Sequence, residues 1–315
     1  MTARALTLGA LMALSPAALA AQEVLDVVTT TGMIADAAQQ VGGDLVEVQA
    51  LMGPGVDPHA YRQTRSDIVA TAQADLVLWH GLYLEAQMEE FLLDLDNTNN
   101  VVALAELLPQ ESLLSSEDYA DQFDPHVWMD PHLWQDVVAE VQAALAEALP
   151  DNADAIAANA EAFYAQIDTL AEYSEQVLST VPEQARVLVT AHDAFNYFGA
   201  IYDFEVVGIQ GISTESEAGL QRIAELVDML VEREIGAVFV ESSVSDRNIR
   251  ALIEGAAAQG HEVTIGGELF SDAMGPEGTY EGTWIGMIDH NITTIAGALG
   301  GTVPDGGMQG RLAMN

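Results

Sequence analysis

The sequence contains no cysteine and no lysine, and each gap excludes something. Without cysteine there is no disulfide, no thiolate metal site, no cysteine nucleophile and no thiol after a leader to carry a lipid. All nine basic residues are arginine, against 49 acidic ones, which gives 315 residues a formal charge of -40. Such a chain repels nucleic acid and anionic membranes and draws cations, so no nucleic-acid partner is expected. A charge this large reads first as adaptation of the whole surface to a salty medium, ahead of a dedicated cation-collecting role. Aromatic residues make up only 6%, which speaks against a cleft lined to hold an organic solute. Beyond the first 20 residues no apolar run approaches the roughly 18 to 20 residues needed to span a bilayer.

Those first residues have their own pattern. Arg4, the apolar run from Ala5 to Leu14, and Ala18-Leu19-Ala20 form a secretory leader with an A-x-A cleavage signal. Residues 1–20 are therefore expected to be removed near Ala20, leaving a soluble protein in a periplasm. Half of the residues are apolar, ample for one or two domains with real cores.

From there the pattern alternates strand and helix. Val24–Thr30 reads as a strand, Met33–Val41 as a helix closed by Gly42-Gly43, Val46–Leu51 as a second strand, and Asp75–Trp79 and Val101–Leu104 as two more. Residues 108–124 read as an acidic, solvated loop containing Glu111, Glu117, Asp118 and Asp121. Helix resumes at Asp130-Pro131 and runs to about Leu149. Between Asp151 and Val181 there is neither Gly nor Pro, and Ile156, Ala160, Phe163, Ile167, Leu170, Ser174 and Val177 recur at spacings of four and three. That is one apolar stripe on one helix of roughly 45 Å. Four further strands, Arg186–Ala191, Glu205–Gln210, Ala237–Glu241 and Glu262–Gly266, alternate with helices in the second half. The expected fold is α/β: two similar lobes, each a mainly parallel four-stranded sheet flanked by helices, joined by one long backbone helix. The expected divisions are a first lobe at 21–150, an interlobe helix at 151–181 and a second lobe at 182–315.

Ligands of open parallel sheets sit at the carboxyl ends of strands, and histidine is distributed suggestively there. Three of the seven histidines follow Asp-Pro, as Asp57-Pro58-His59, Asp124-Pro125-His126 and Asp130-Pro131-His132. Asp is a good N-cap and Pro suits the first helical position, so this grammar places an imidazole at the start of a helix. His59 and His126 in the first half, with His192 and Asp272 in the second, fall at strand ends or in the loops just after them. Two from each lobe can converge on one cation, and imidazole with carboxylate suits zinc and is acceptable to manganese. His132 is an alternative ligand, six residues after His126. His80, His261 and His290 read as packing or surface residues. Glu241, ending a buried strand, reads either as a partner that orients a ligand or as a cap for the next loop.

These residues resemble a known family, the solute-binding proteins of zinc and manganese ABC importers. The resemblance lies in Gly55-x-Asp57-Pro58-His59-x-Tyr61, Asp124-Pro125-His126-Val127-Trp128, Ala191-His192-Asp193-Ala194-Phe195, Val240-Glu241-Ser242-Ser243 and Gly266-Gly267-Glu268-Leu269-Phe270-Ser271-Asp272. It implies that His59, His126, His192 and Asp272 are the metal ligands and that the long helix permits only small lobe movements. It implies Zn2+ or Mn2+ as transported cargo, and an ABC permease with its cytoplasmic ATPase as partners to a monomeric receptor. The zinc-only branch usually carries a histidine-rich loop near positions 108–124, and this loop has no histidine. A manganese-selective branch has a carboxylate where His192 stands, so histidine here makes zinc harder to exclude.

A secreted zinc hydrolase is the rival reading. Catalytic zinc keeps an open position, typically with three protein ligands, whereas four close the site. Neither HExxH nor a nucleophile elbow occurs, and Ser242-Ser243 lacks the flanking glycines.

Overall fold

The computed structural model describes residues 24–96, 100–116 and 122–312. The expected leader and its cleavage point lie outside the described residues, as do Glu117, Asp118 and Asp121 of the acidic loop. Among the described residues no helix is long and apolar enough to cross a membrane.

The first lobe follows the expected alternation: β1 (Leu25–Thr29), α1 (Gly32–Gly42), β2 (Val46–Ala50), α2 (Arg65–Gln73), β3 (Leu76–Trp79), α3 (Glu89–Asp96) and β4 (Val101–Ala103). The four strands form one parallel sheet in the order β2-β1-β3-β4. Thr31 caps α1, and the helix buries Met33, Ile34, Ala37, Ala38 and Val41, an i, i+3, i+4 stripe laid on the sheet. The segment after His59 is not helical as far as Thr64. There Thr64 and Asp67 form a capping box, which starts α2 seven residues later than Asp-Pro suggested.

Two helices follow, α4 (Pro131–Ala148) and α5 (Ala153–Leu178), separated by a 3-10 turn at Pro150–Asn152. The turn shortens the expected helix to 26 residues, about 39 Å at 1.5 Å per residue. All seven stripe residues, Ile156 to Val177, are buried. They pack on α1 and α4 of the first lobe and on α9 (Trp284–Ala298) of the second, so α5 is the spine of both.

The second lobe contains β5 (Val187–Thr190), α6 (Asn196–Tyr202), β6 (Glu205–Gly208), α7 (Leu220–Glu232), β7 (Ala237–Glu241), α8 (Arg247–Ala258) and β8 (Thr264–Leu269). Its ladders are the parallel pairs β5-β6 and β7-β8, and β5 lies beside β7. The spatial order β6-β5-β7-β8 therefore repeats that of the first lobe. β8 begins two residues later and ends three later than the expected Glu262–Gly266, because Gly266 and Gly267 lie inside the strand. A Cβ at Gly266 would stand 2.8 Å from the Phe239 ring, and one at Gly267 2.3 Å from Thr294. The glycines mark close approach of neighbouring chain, not an end.

One continuous apolar core runs from Ile34 on α1 through Trp134 on α4 and Phe163 on α5 to Trp284 and Ile292 on α9. Trp134 and Trp284 stack at 5.6 Å across the join. A separate cluster, including Val189, Leu230, Val238 and Leu252, fills the space between the second lobe's strands and α7 and α8.

Candidate metal centre

The Asp-Pro-His grammar holds a backbone turn in all three copies. The carboxylate accepts the histidine's own N–H, at 2.9 Å in Asp57/His59, 2.9 Å in Asp124/His126 and 2.8 Å in Asp130/His132. This is a turn that Asp closes on the residue two positions on, and it needs no helix to follow. Only Asp130-Pro131 opens an α-helix; His126 leads into a 3-10 turn at Val127–Met129, and His59 lies in a turn. The expectation of an imidazole at each helix start is thus corrected for two of the three.

Each ring is then oriented differently. The His126 Nδ1–H donates to Asp124 Oδ1 at 2.7 Å, and the His192 Nδ1–H donates to Glu241 Oε2 at 2.5 Å. A carboxylate behind Nδ1 fixes the tautomer that leaves Nε2 as a bare lone pair pointing the other way. Glu241 also accepts the His192 N–H at 2.9 Å through Oε1. Asp57, whose Oδ1 holds His59, accepts the Thr214 hydroxyl of the second lobe on its Oδ2 at 2.5 Å.

The structure brings His59, His126, His192 and Asp272 together, each buried, with one donor atom from each lying within 4.8 Å of all the others. The Nε2 atoms of His59 and His126 face each other at 3.3 Å. Asp272 Oδ1 lies 3.5 Å from His126 Nε2, and Oδ2 lies 3.2 Å from His192 Nε2 and 3.9 Å from His59 Nε2. Yet His192 Nε2 and both Asp272 oxygens lack a hydrogen bond. Buried polar atoms of native proteins are nearly always satisfied. Four side chains aimed at one point, with three of their polar atoms unpaired, form a site shaped for a cation.

The charges agree. Burial pushes the His59 ring down to about 3, keeping it neutral and ready to coordinate. Burial also opposes protonation of His126, but the Asp124 and Asp272 carboxylates outweigh it and lift the ring to about 9. Asp272 and Glu241 do the same for His192, and the two imidazoles in turn hold Asp272 well below the usual carboxylate range against the opposing effect of burial. A divalent ion supplies the positive charge that these carboxylates otherwise draw from protons.

The other histidines stand apart. His132 is exposed and outside the cluster. His80 is buried, with Nε2 2.6 Å from the Pro125 carbonyl and its ring edge-on to Trp128. The Nε2 atoms of His261 and His290 meet the carbonyls of Ile235 and Glu268. Of the two readings of Glu241, the structure has the ring-orienting one. The sequence reading missed the same role in Asp124, which it took as a cap. A carboxylate two residues before a candidate ligand was the available signal. It also missed Asn196 and Tyr197 on α6, which donate across the cleft to Asp124 Oδ2 at 3.0 Å and to the Asp124 carbonyl at 2.8 Å. No spacing in the sequence announces that pair.

Known proteins carry the same fold and sequence pattern. The manganese-binding lipoprotein MntA of Bacillus subtilis is 48% identical over 279 residues, 89% of this chain and 91% of that protein. The zinc-binding protein TroA of Treponema pallidum is 45% identical over 273 residues, 87% and 88% of the two chains. A solved structure of periplasmic zinc-binding TroA superposes with a TM-score of 0.86, covering 88% of this chain and 99% of that one. The sequence profile described as zinc-uptake complex component A, periplasmic, matches residues 27–298. With 272 of its 315 residues inside that profile, counted from 27 to 298, the chain belongs to the zinc-uptake complex component A family.

Proposed function

We propose that this protein is the solute-binding component of an ABC importer, capturing Zn2+ or Mn2+ between its lobes and delivering it to a membrane permease driven by a cytoplasmic ATPase. One observation carries the reading: four buried side chains, two from each lobe, face a common centre, where His192 Nε2 and both Asp272 oxygens have no hydrogen-bond partner. His59, His126, His192 and Asp272 are the ligands in this proposal. Asp124 and Glu241 orient the second and third of them. Four protein donors leave no coordination position for a catalytic water, so the reading is a carrier and not a hydrolase. Residues 1–20 serve as an export leader, residues 21–150 and 182–315 as the two metal-binding lobes and 151–181 as their connector, in a periplasmic monomer.

Three imidazoles and a carboxylate favour zinc over manganese by the ordinary order of divalent affinities, so zinc binds more tightly in vitro. Metal analysis of protein taken from the periplasm, followed by zinc–manganese competition, tests the reading. Replacing His59 or Asp272 by Ala lowers affinity by about tenfold or more. Unchanged affinity in either variant removes that residue from the site.

A further inference from the structure

Asp272 differs from His126 and His192 in having nothing behind it. Its two oxygens take no hydrogen bond, so the direction of the carboxylate is inherited from the backbone that carries it. That backbone is clamped twice. Asn291 on α9 accepts the Phe270 N–H at 2.9 Å and donates to the Phe270 carbonyl at 2.7 Å, a clamp within the second lobe. The other clamp crosses the cleft: the Trp128 indole N–H donates to the Ser271 carbonyl at 2.8 Å. Trp128 is wholly buried, and its ring stands edge-on to His126 at 5.2 Å and to His80 at 5.1 Å. Its own carbonyl accepts the Trp284 indole N–H at 3.2 Å. One side chain therefore ties the turn that carries His126 to the residue before Asp272.

We propose that Trp128 is a specificity-determining positioning residue, whose indole N–H holds Asp272 broadside so that both carboxylate oxygens reach the ion. The distances describe that presentation: Oδ1 lies nearest His126 and Oδ2 nearest His192, with neither turned away from the imidazoles. Zinc is content with four donors, for which one oxygen of Asp272 suffices. Manganese is harder and takes more oxygen, so the second oxygen matters to it more. Loosening the Ser271 tether lets the unsupported carboxylate swing to one-oxygen binding, and manganese suffers first. This inference rests on the ligand set of the preceding section.

The experiment compares the wild type with Trp128→Phe, with 3-benzothienylalanine placed at position 128, and with Trp134→Phe. Benzothienylalanine keeps the indole shape without the N–H, and it carries the test should Trp128→Phe fail to fold by circular dichroism. Trp134 is the control, since its buried Nε1 has no hydrogen-bond partner to lose. Zn2+ and Mn2+ affinities are measured by competition at one pH, and visible absorption of the Co2+-loaded protein reports coordination number. Both position-128 variants should lose about tenfold or more for Mn2+ and less than about threefold for Zn2+, with stronger Co2+ bands as coordination number drops. Trp134→Phe should change neither. Equal losses for both metals, an unchanged ratio, or the same shift in Trp134→Phe overturns the proposal. A wild type that binds neither ion overturns the ligand set along with it. A wild type that binds both, with Asp272→Ala losing both and no ratio change at position 128, sinks the Trp128 role alone.

Discussion

A metal-binding imidazole needs its far nitrogen occupied, and here two of the three are occupied by a buried carboxylate. Glu241→Gln keeps the shape but removes the negative charge, and the amide either donates towards Nδ1 or accepts more weakly. We expect metal affinity to fall by about 10- to 100-fold with the fold intact, measured by competition titration beside a melting curve. His80 gives a residue-scale pH effect. Burial pushes its ring down to about 3 from an ordinary value near 6.5. Below pH 6.5 the unfolded chain takes up a proton that the folded chain refuses until about pH 3, so stability falls with pH across that window. The slope is at most about 1.4 kcal/mol per pH unit. His80→Gln removes this contribution, and the difference between wild-type and variant urea midpoints from pH 7 to pH 4 should shrink accordingly. At this scale the sequence was legible where residue type and chain position coincide. His59, His126, His192 and Asp272, which the structure brings together, could be picked from histidine and aspartate in short motifs, though only His192 and Asp272 directly follow strands. Asn196 and Tyr197 could not, because their partner Asp124 comes from the other lobe and only the packed structure sets the meeting.

At the scale of elements, α5 is the member on which both lobes depend. Its stripe was readable because spacings of four and three, uninterrupted by Gly or Pro, admit no other regular structure. Its ends were not, since the 3-10 turn at Pro150–Asn152 is decided by how α4 hands over to it. β8 was misplaced for the opposite reason: glycine usually punctuates, and only the nearness of Phe239 and Thr294 explains Gly266 and Gly267 within a strand. Phe163 lies at the middle of the stripe and is 1% exposed. Phe163→Ala should cost about 3–5 kcal/mol in denaturant unfolding, because the cavity opens inside the core shared by the lobes. Since one core spans the join, both lobes should melt in a single transition in that variant as in the wild type.

The whole molecule carries its charge with little internal compensation. Among the described residues the arginine ion pairs are Arg186–Asp203, Arg233–Glu205 and Arg250–Asp246, all at least partly open to solvent and so worth little individually. Repulsion among the acids is therefore the leading electrostatic effect at the surface, and salt should relieve it. Between 0.01 M and 1 M NaCl the screening length shortens from about 30 Å to 3 Å. We expect the melting temperature to rise over that range, and a flat or falling profile would show that self-repulsion does not govern the stability of this surface.

The four converging side chains are also far apart along the polypeptide. His59 comes early, and Asp272 follows it by 213 positions, from 59 to 272. A nascent or half-threaded chain possesses some of the donors but never the full set, and the spine that aligns them is completed before the final donor arrives. Convergence of all four side chains is in this way a certificate of completed folding, which no partial length of the chain can supply.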